Sequence, residues 1–218
     1  MELERRDYRD YEVADTDELF VESRADGGTF IVGYAAVWNR LSLDLGGFRE
    51  RILPGAFDAV LKRGKLDVKA LFNHDSNMVL GRSLSGTLEL SSDDKGLRYV
   101  VSPPETRADV VDLIRRRDVT GSSFAFTCKG KNCESFSTEG GQTIREIREV
   151  SGLYDVGPVL TPAYPDSSVG VAARSYDVAK RSYEEWLSTQ EPEQLAQIAR
   201  RSLVSDAALA AALRLRNV

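Results

Sequence analysis

The chain of 218 residues has a single histidine, His74, in the stretch ALFNHDSN at the end of an apolar run. Imidazole is the side chain whose ordinary pKa lets it take up and release a proton near neutral pH. Ser122 and Ser123 follow Gly121 and open the apolar run SSFAFTC. A serine hydroxyl is a weak nucleophile until a base removes its proton, and His74 is the side chain here suited to that task. A histidine base usually needs a third group that holds its tautomer and stabilises its charged form. Asp155 is a candidate for that role: it is an acid within the otherwise apolar LYDVGPV, where an unpaired carboxylate would be costly. Together these residues would support acyl transfer through a serine nucleophile. They also fit a plainer reading, with His74 capping a loop, Ser123 satisfying backbone groups and Asp155 paired with an arginine.

The elements that must position these residues are mostly strands. TFIVGYAAVW (29–38) is rich in β-branched and aromatic residues and reads as a buried strand. LDVKALF (66–72) reads as a strand that delivers His74 at its end. GTLELSSDDKGLRYVVS (86–102) predicts a hairpin turning at Asp93-Asp94-Lys95-Gly96. SSFAFTC (122–128) alternates, a polar loop spans 129–142, and TIREIREV (143–150) alternates again. GLYDVGPVLTPAYPDSS (152–168) is a strand that ends in a proline-punctuated loop. Two short helices lie between the strands. One follows Pro54 and carries Phe57, Val60 and Leu61. The other, TRADVVDLIRRRD (106–118), has Thr106 and Asp109 at capping-box spacing and an apolar stripe of Val110, Leu113 and Ile114. The expected fold class is α+β: a strand-rich antiparallel β-barrel, closed or partly closed, ringed by short helices, with a helical C-terminal tail.

Composition narrows the function classes. Hydrophobic residues make up 42% and charged residues 29%, as in ordinary globular proteins. A net charge of −5 leaves no basic surplus to neutralise nucleic-acid phosphates. Cys128 and Cys133 could close a small loop or stay as free thiols; no second pair completes a zinc site. No apolar run approaches the ~18 residues of a membrane span, and the N-terminus lacks a signal-peptide core. A cytoplasmic protein is expected, with no cofactor and no metal.

Five blocks of the sequence resemble, in order and spacing, the HK97-like prohead maturation proteases of tailed bacteriophages: GYAAVWN…DLGGFRERILPGAF (33–57), VKALFNHDSNMVLGRS (68–83), GTLELSSDDKGLRYVVSPPET (86–106), DVVDLIRRRDVTGSSFAF (109–126) and LYDVGPVLTPAYPDSS (153–168). The resemblance covers roughly residues 20–172. That family is related in fold to the herpesvirus assembly protease, and the resemblance implies a serine endopeptidase on a strand-rich barrel ringed by helices. Carried across, the family's histidine falls on His74, its serine on Ser123 rather than Ser122, and its third acid on Asp155. The family typically has Glu at this last position, so Asp155 is one methylene shorter; Glu149 and Glu146 on the preceding strand are the fallback. Gly157 stands where the family has a small serine. Arg82 is a candidate oxyanion donor beside backbone N–H groups, with a surface arginine as its plainer reading.

The resemblance implies self-processing inside the immature capsid and cleavage of scaffold and capsid-protein segments, in the host cytoplasm or from a prophage. Nucleic acid and membrane are not expected partners; a homo-oligomer is left open. Three parts are expected: a charged lead-in (1–24) with nine acidic and four basic side chains, a protease domain (25–174) and a helical tail (175–218) that contains no glycine. The tail's Leu195, Ile198 and Leu203 form an apolar face expected to dock either on the barrel or on a scaffold or capsid partner, the partner being favoured, with the tail then cut away. A second reading makes the chain a catalytically silent structural or scaffold component of the prohead.

Overall fold

In chain order, the computed structural model has strands β1 (Asp7–Tyr11), β2 (Leu19–Ser23), β3 (Thr29–Val37) and β4 (Phe48–Ile52), helix α1 (Asp58–Leu61), then β5 (Lys69–Leu71), β6 (Val79–Arg82), β7 (Leu88–Ser92) and β8 (Gly96–Val101). Helix α2 (Ala108–Arg115), strands β9 (Gly121–Thr127), β10 (Glu134–Glu139), β11 (Gln142–Ile147) and β12 (Gly152–Val159), and helices α3 (Ala172–Ser188) and α4 (Pro192–Arg201) follow. The structure describes residues 7–11, 19–25, 27–42, 44–130, 132–160 and 172–201.

The strands pair into a five-stranded sheet in the order β1-β9-β12-β5-β6, a four-stranded sheet in the order β2-β3-β8-β7 and a three-stranded sheet in the order β10-β11-β4. The architecture is α+β and strand-rich, as expected. Most pairings are antiparallel, but β12 runs parallel to β5 and β11 parallel to β4. The pairings among the described residues leave three sheets and no closed ring of strands, so the expected barrel does not appear among them.

The predicted hairpin is β7–β8. The Asp93 carboxylate accepts the backbone N–H groups of Lys95 (2.8 Å) and Gly96 (3.0 Å), which folds the turn on itself. Helix α2 buries Val110, Val111 and Ile114. The expected cap at Thr106 does not form: a 3-10 turn over Glu105–Arg107 leads into the helix, and its N-cap, Arg107, makes no side-chain capping bond. The main core fills with residues of both larger sheets, including Ile31, Leu97, Tyr99, Phe124, Phe126 and Val156, with Val60 of α1 and Val110 and Ile114 of α2. No helix among the described residues is long and apolar enough to cross a membrane.

Four strands escaped the sequence reading. ESFSTE, expected in a polar loop, is β10, held by its antiparallel partner β11 rather than by an apolar pattern. β4 and β6 lie in segments where no strand was expected, and β1 lies within the charged lead-in, paired to β9 so that Asp10 is opposite Ser123. Cys128 and Cys133 form a disulfide, with Cα atoms 5.6 Å apart.

The tail helices pack on the protein itself, which is the first of the two expected alternatives and not the favoured partner docking. Leu195 and Ile198 of α4 join Tyr183 and Leu187 of α3 in a second cluster around Phe48 of β4. Phe136 of β10 and Trp186 complete it, their rings 5.6 Å apart and stacked. The aromatic surface of the three-stranded sheet provides the apolar partner that the amphipathic helices need. Leu203 lies outside the described residues.

Candidate active site

The nucleophile candidate sits on a strand whose two faces have different roles. Along β9, Phe124 and Phe126 enter the main core, as alternation requires of residues two apart. Ser122 shares that face, and its hydroxyl is 2.9 Å from the phenol of Tyr99, both fully buried. Burial raises the Tyr99 pKa, so the phenol stays protonated. Tyr99 fits because Gly33 has no side chain: a Cβ there would lie 2.4 Å from the ring. Ser123 therefore faces away from the core, toward His74.

Asp155 reaches the same face through an irregularity in β12. Leu153 pairs with Phe126 and Asp155 with Ala125, so one extra residue, Tyr154, is inserted into the ladder. This β-bulge lets Leu153 and Val156, three residues apart, both enter the core. Strict alternation would put Asp155 on the same face as Leu153; the bulge turns it to the opposite face. Beyond it, Gly157 is the Cα partner of Ser123 and packs directly against β5, where an added Cβ would lie 2.0 Å from the Leu71 carbonyl oxygen.

His74 stands just past β5, in a tight loop. Phe72 N–H donates to the Met78 carbonyl (3.1 Å), Asp75 N–H to the Phe72 carbonyl (3.0 Å) and Met78 N–H to the Asp75 carbonyl (2.9 Å). Asn73 and His74 both have positive φ, 53° and 55°. Asn and His are among the residues that tolerate this left-handed region best. Arg107, at the start of α2, donates to the Asn77 carbonyl (2.6 Å) and ties the loop to the helix.

The three residues meet. His74 Nδ1 lies 2.5 Å from Asp155 Oδ1, and His74 Nε2 lies 2.6 Å from Ser123 Oγ. An ionised carboxylate only accepts hydrogen bonds, so Nδ1 carries the proton and Nε2 presents its lone pair to the serine O–H. Ser123 is fully buried, Asp155 is 3% exposed and the His74 side chain 12% exposed. A buried carboxylate is tolerable because it is hydrogen-bonded. In this arrangement the hydroxyl can lose its proton to a base that the carboxylate holds in the correct tautomer.

The fallback acids point elsewhere. Glu146 is bound by Arg51 (2.5 Å) and Arg148 (3.2 Å), and the Arg51 hydrogen bond holds its pKa below the ordinary 4.5. Glu149 is exposed. Arg82 is engaged by Asp67, with both nitrogen–oxygen contacts at 2.7 Å, and is half exposed, which is the plainer of its two readings. Sequence reasoning missed the supporting roles of Tyr99, Asn73 and Arg107, because each acts through contacts far apart in the chain. Among the described residues no group of His, Cys, Asp and Glu side chains could hold a metal.

A family model for the caudovirus prohead serine protease matches residues 17–182 of the chain. The chain belongs to the caudovirus prohead serine protease family. No curated protein and no solved structure matches it. The match to this prohead protease spans every strand from β2 to β12, including the three that carry or deliver Ser123, Asp155 and His74.

Proposed function

We propose that this prohead protease is an endopeptidase with a Ser123–His74–Asp155 triad, acting in capsid maturation on scaffold and capsid-protein segments and on itself. The observation that carries this reading is the continuous hydrogen-bonded line from Asp155 through His74 to Ser123. Ser123 Oγ attacks the scissile carbonyl carbon while His74 Nε2 takes the hydroxyl proton. The tetrahedral intermediate collapses, the C–N bond breaks, and Nε2 returns the proton to the leaving amine. Water then attacks the acyl-serine ester with His74 again as base, which releases the acid product and restores Ser123. Asp155 stays ionised throughout and stabilises the imidazolium.

In this reading the three sheets and the helices packed on them carry the protease, and self-cleavage shortens the chain. Producing wild type and Ser123→Ala side by side and weighing the intact chains tests self-processing. Wild type should yield shortened species that are absent from Ser123→Ala. The same fragments in both, or in neither, would contradict it.

A further inference from the structure

The residue before the histidine is latched to the strand that carries the acid. Asn73 N–H donates to the Pro158 carbonyl (3.0 Å), and the Asn73 side-chain oxygen accepts the Leu160 N–H (2.8 Å). Pro158 and Leu160 lie three and five residues beyond Asp155 in the chain. The regular β12–β5 ladder pairs only Asp155 with Lys69 and Val156 with Ala70. Beyond β5 the chain turns away into the His74 loop, and the two Asn73 bonds continue the attachment of that loop to the end of β12.

Two further observations give this latch a purpose. Asn73 is exposed, so its side chain fills no core space. Its φ of 53° and the 55° of His74 place two consecutive residues in the left-handed region, a conformation that costs energy unless the surroundings hold it. With the side-chain acceptor gone, of the two bonds described between Asn73 and the end of β12 the one to Pro158 would remain.

We infer that Asn73 is a positioning residue for the hydrolytic reaction: by clamping the His74 loop to the end of β12, it sets the distance between the imidazole and both Asp155 and Ser123. This inference rests on the triad reading. Asn73 itself touches no reacting atom; it acts through His74. The reaction is sensitive to such placement, since an error of about 1 Å in a catalytic group can cost on the order of a hundredfold in rate.

The test uses the full chain with a fluorophosphonate probe. The serine oxygen bonds to phosphorus, fluoride leaves, and the hydroxyl proton passes to His74, so the labelling rate reports the Ser123–His74 pair without a known cleavage sequence. Asn73→Gly keeps the left-handed backbone accessible but deletes the acceptor; it should label about a hundredfold more slowly than wild type. Asn73→Asp keeps the acceptor and should label within about fivefold, a rescue that a general loss of structure would not give. Because the chain has one histidine, its ring resonances are a single set. The Nδ1 proton signal of the His74–Asp155 bond should persist in Asn73→Asp and weaken in Asn73→Gly. Should Asn73→Gly fail to fold, Asn73→Ser, whose shorter side chain cannot span to Leu160, takes its place with the same expectation. Wild-type labelling and an unchanged Nδ1 signal in the deleted-acceptor variant would overturn the inference. Failure of the triad reading looks different: wild type would not label, or Ser123→Ala would label equally, whatever Asn73 does.

Discussion

His74 and Ser123 approach to 2.6 Å although the strands that position them, β5 and β9, are not neighbours; β12 lies between them and carries Asp155. The acid therefore stands on the central strand of the three, and both of its neighbours depend on its register. The bulge at Tyr154 and the close approach of Gly157 to Leu71 are the two local features that set this register.

Replacing Asp155 by Asn should preserve the fold and lower kcat by about 10⁴-fold, because the amide favours the wrong imidazole tautomer. Glu146→Gln should stay within about twofold in activity, since its partners are Arg51 and Arg148 rather than His74. Steady-state kinetics on a cleaved peptide compares the two. A larger loss in Glu146→Gln would move the acid to the neighbouring sheet.

Ser122→Ala should separate stability from activity. It leaves the fully buried Tyr99 hydroxyl without its partner, a loss of about 1–3 kcal/mol. Urea unfolding should show that loss while probe labelling of Ser123 continues at close to the wild-type rate. Abolished labelling in a folded Ser122→Ala protein would mean the two serines have been exchanged.

Activity and stability should respond differently to pH. Only a neutral imidazole can accept the Ser123 proton, and the chain has one histidine, so activity should rise with pH through a single ionisation near neutrality. Stability should instead fall on the acid side. Arg51 depresses the pKa of Glu146 below 4.5, and Arg82, with Lys69, depresses that of Asp67 below 3.8. A carboxylate depressed in the folded state contributes stability that is present above its unfolded pKa and lost as pH falls through the folded value. Thermal midpoints should therefore decline below about pH 4.5, and Glu146→Gln should flatten part of that decline. A midpoint that rises on acidification would contradict the ion-pair assignment.

Leu187→Ala should cost about 2–5 kcal/mol, the usual range for a fully buried leucine, because it opens the cluster around Phe48 and Tyr183. Ser123, His74 and Asp155 are carried or delivered by strands of the five-stranded sheet and take no part in this cluster, so the folded fraction should still label. An unchanged unfolding midpoint would mean that α3 does not hold to the three-stranded sheet in solution.

Much of the site was legible in the sequence because its chemistry needs a histidine, of which the chain has one, with polar side chains set in apolar strands. One histidine, a serine at the start of an apolar strand and an acid in an apolar strand could each be found without coordinates. The β7–β8 hairpin and helix α2 were legible for the same reason that they form: local turn chemistry and a 3.6-residue apolar period. Strands β1 and β10 were not legible, because their polar sequences pair through backbone groups that leave no apolar alternation. The bulge at Tyr154, the Tyr99–Ser122 bond and the Arg145–Glu50 ion pair, buried at 2.6 Å, join residues far apart in the chain, so no local pattern announces them. The seat of α4 was not legible because its aromatic residues, Phe48 and Phe136, lie on strands that the sequence pattern did not mark.

The central claim is that Ser123, activated by His74, is the nucleophile. Incubating the intact wild-type chain with a fluorophosphonate and locating the adduct by peptide mass spectrometry tests it most directly. A single adduct on Ser123, absent from Ser123→Ala and strongly reduced in folded His74→Ala, is the expected result. An adduct on another serine, or undiminished labelling of Ser123 without His74, would contradict it.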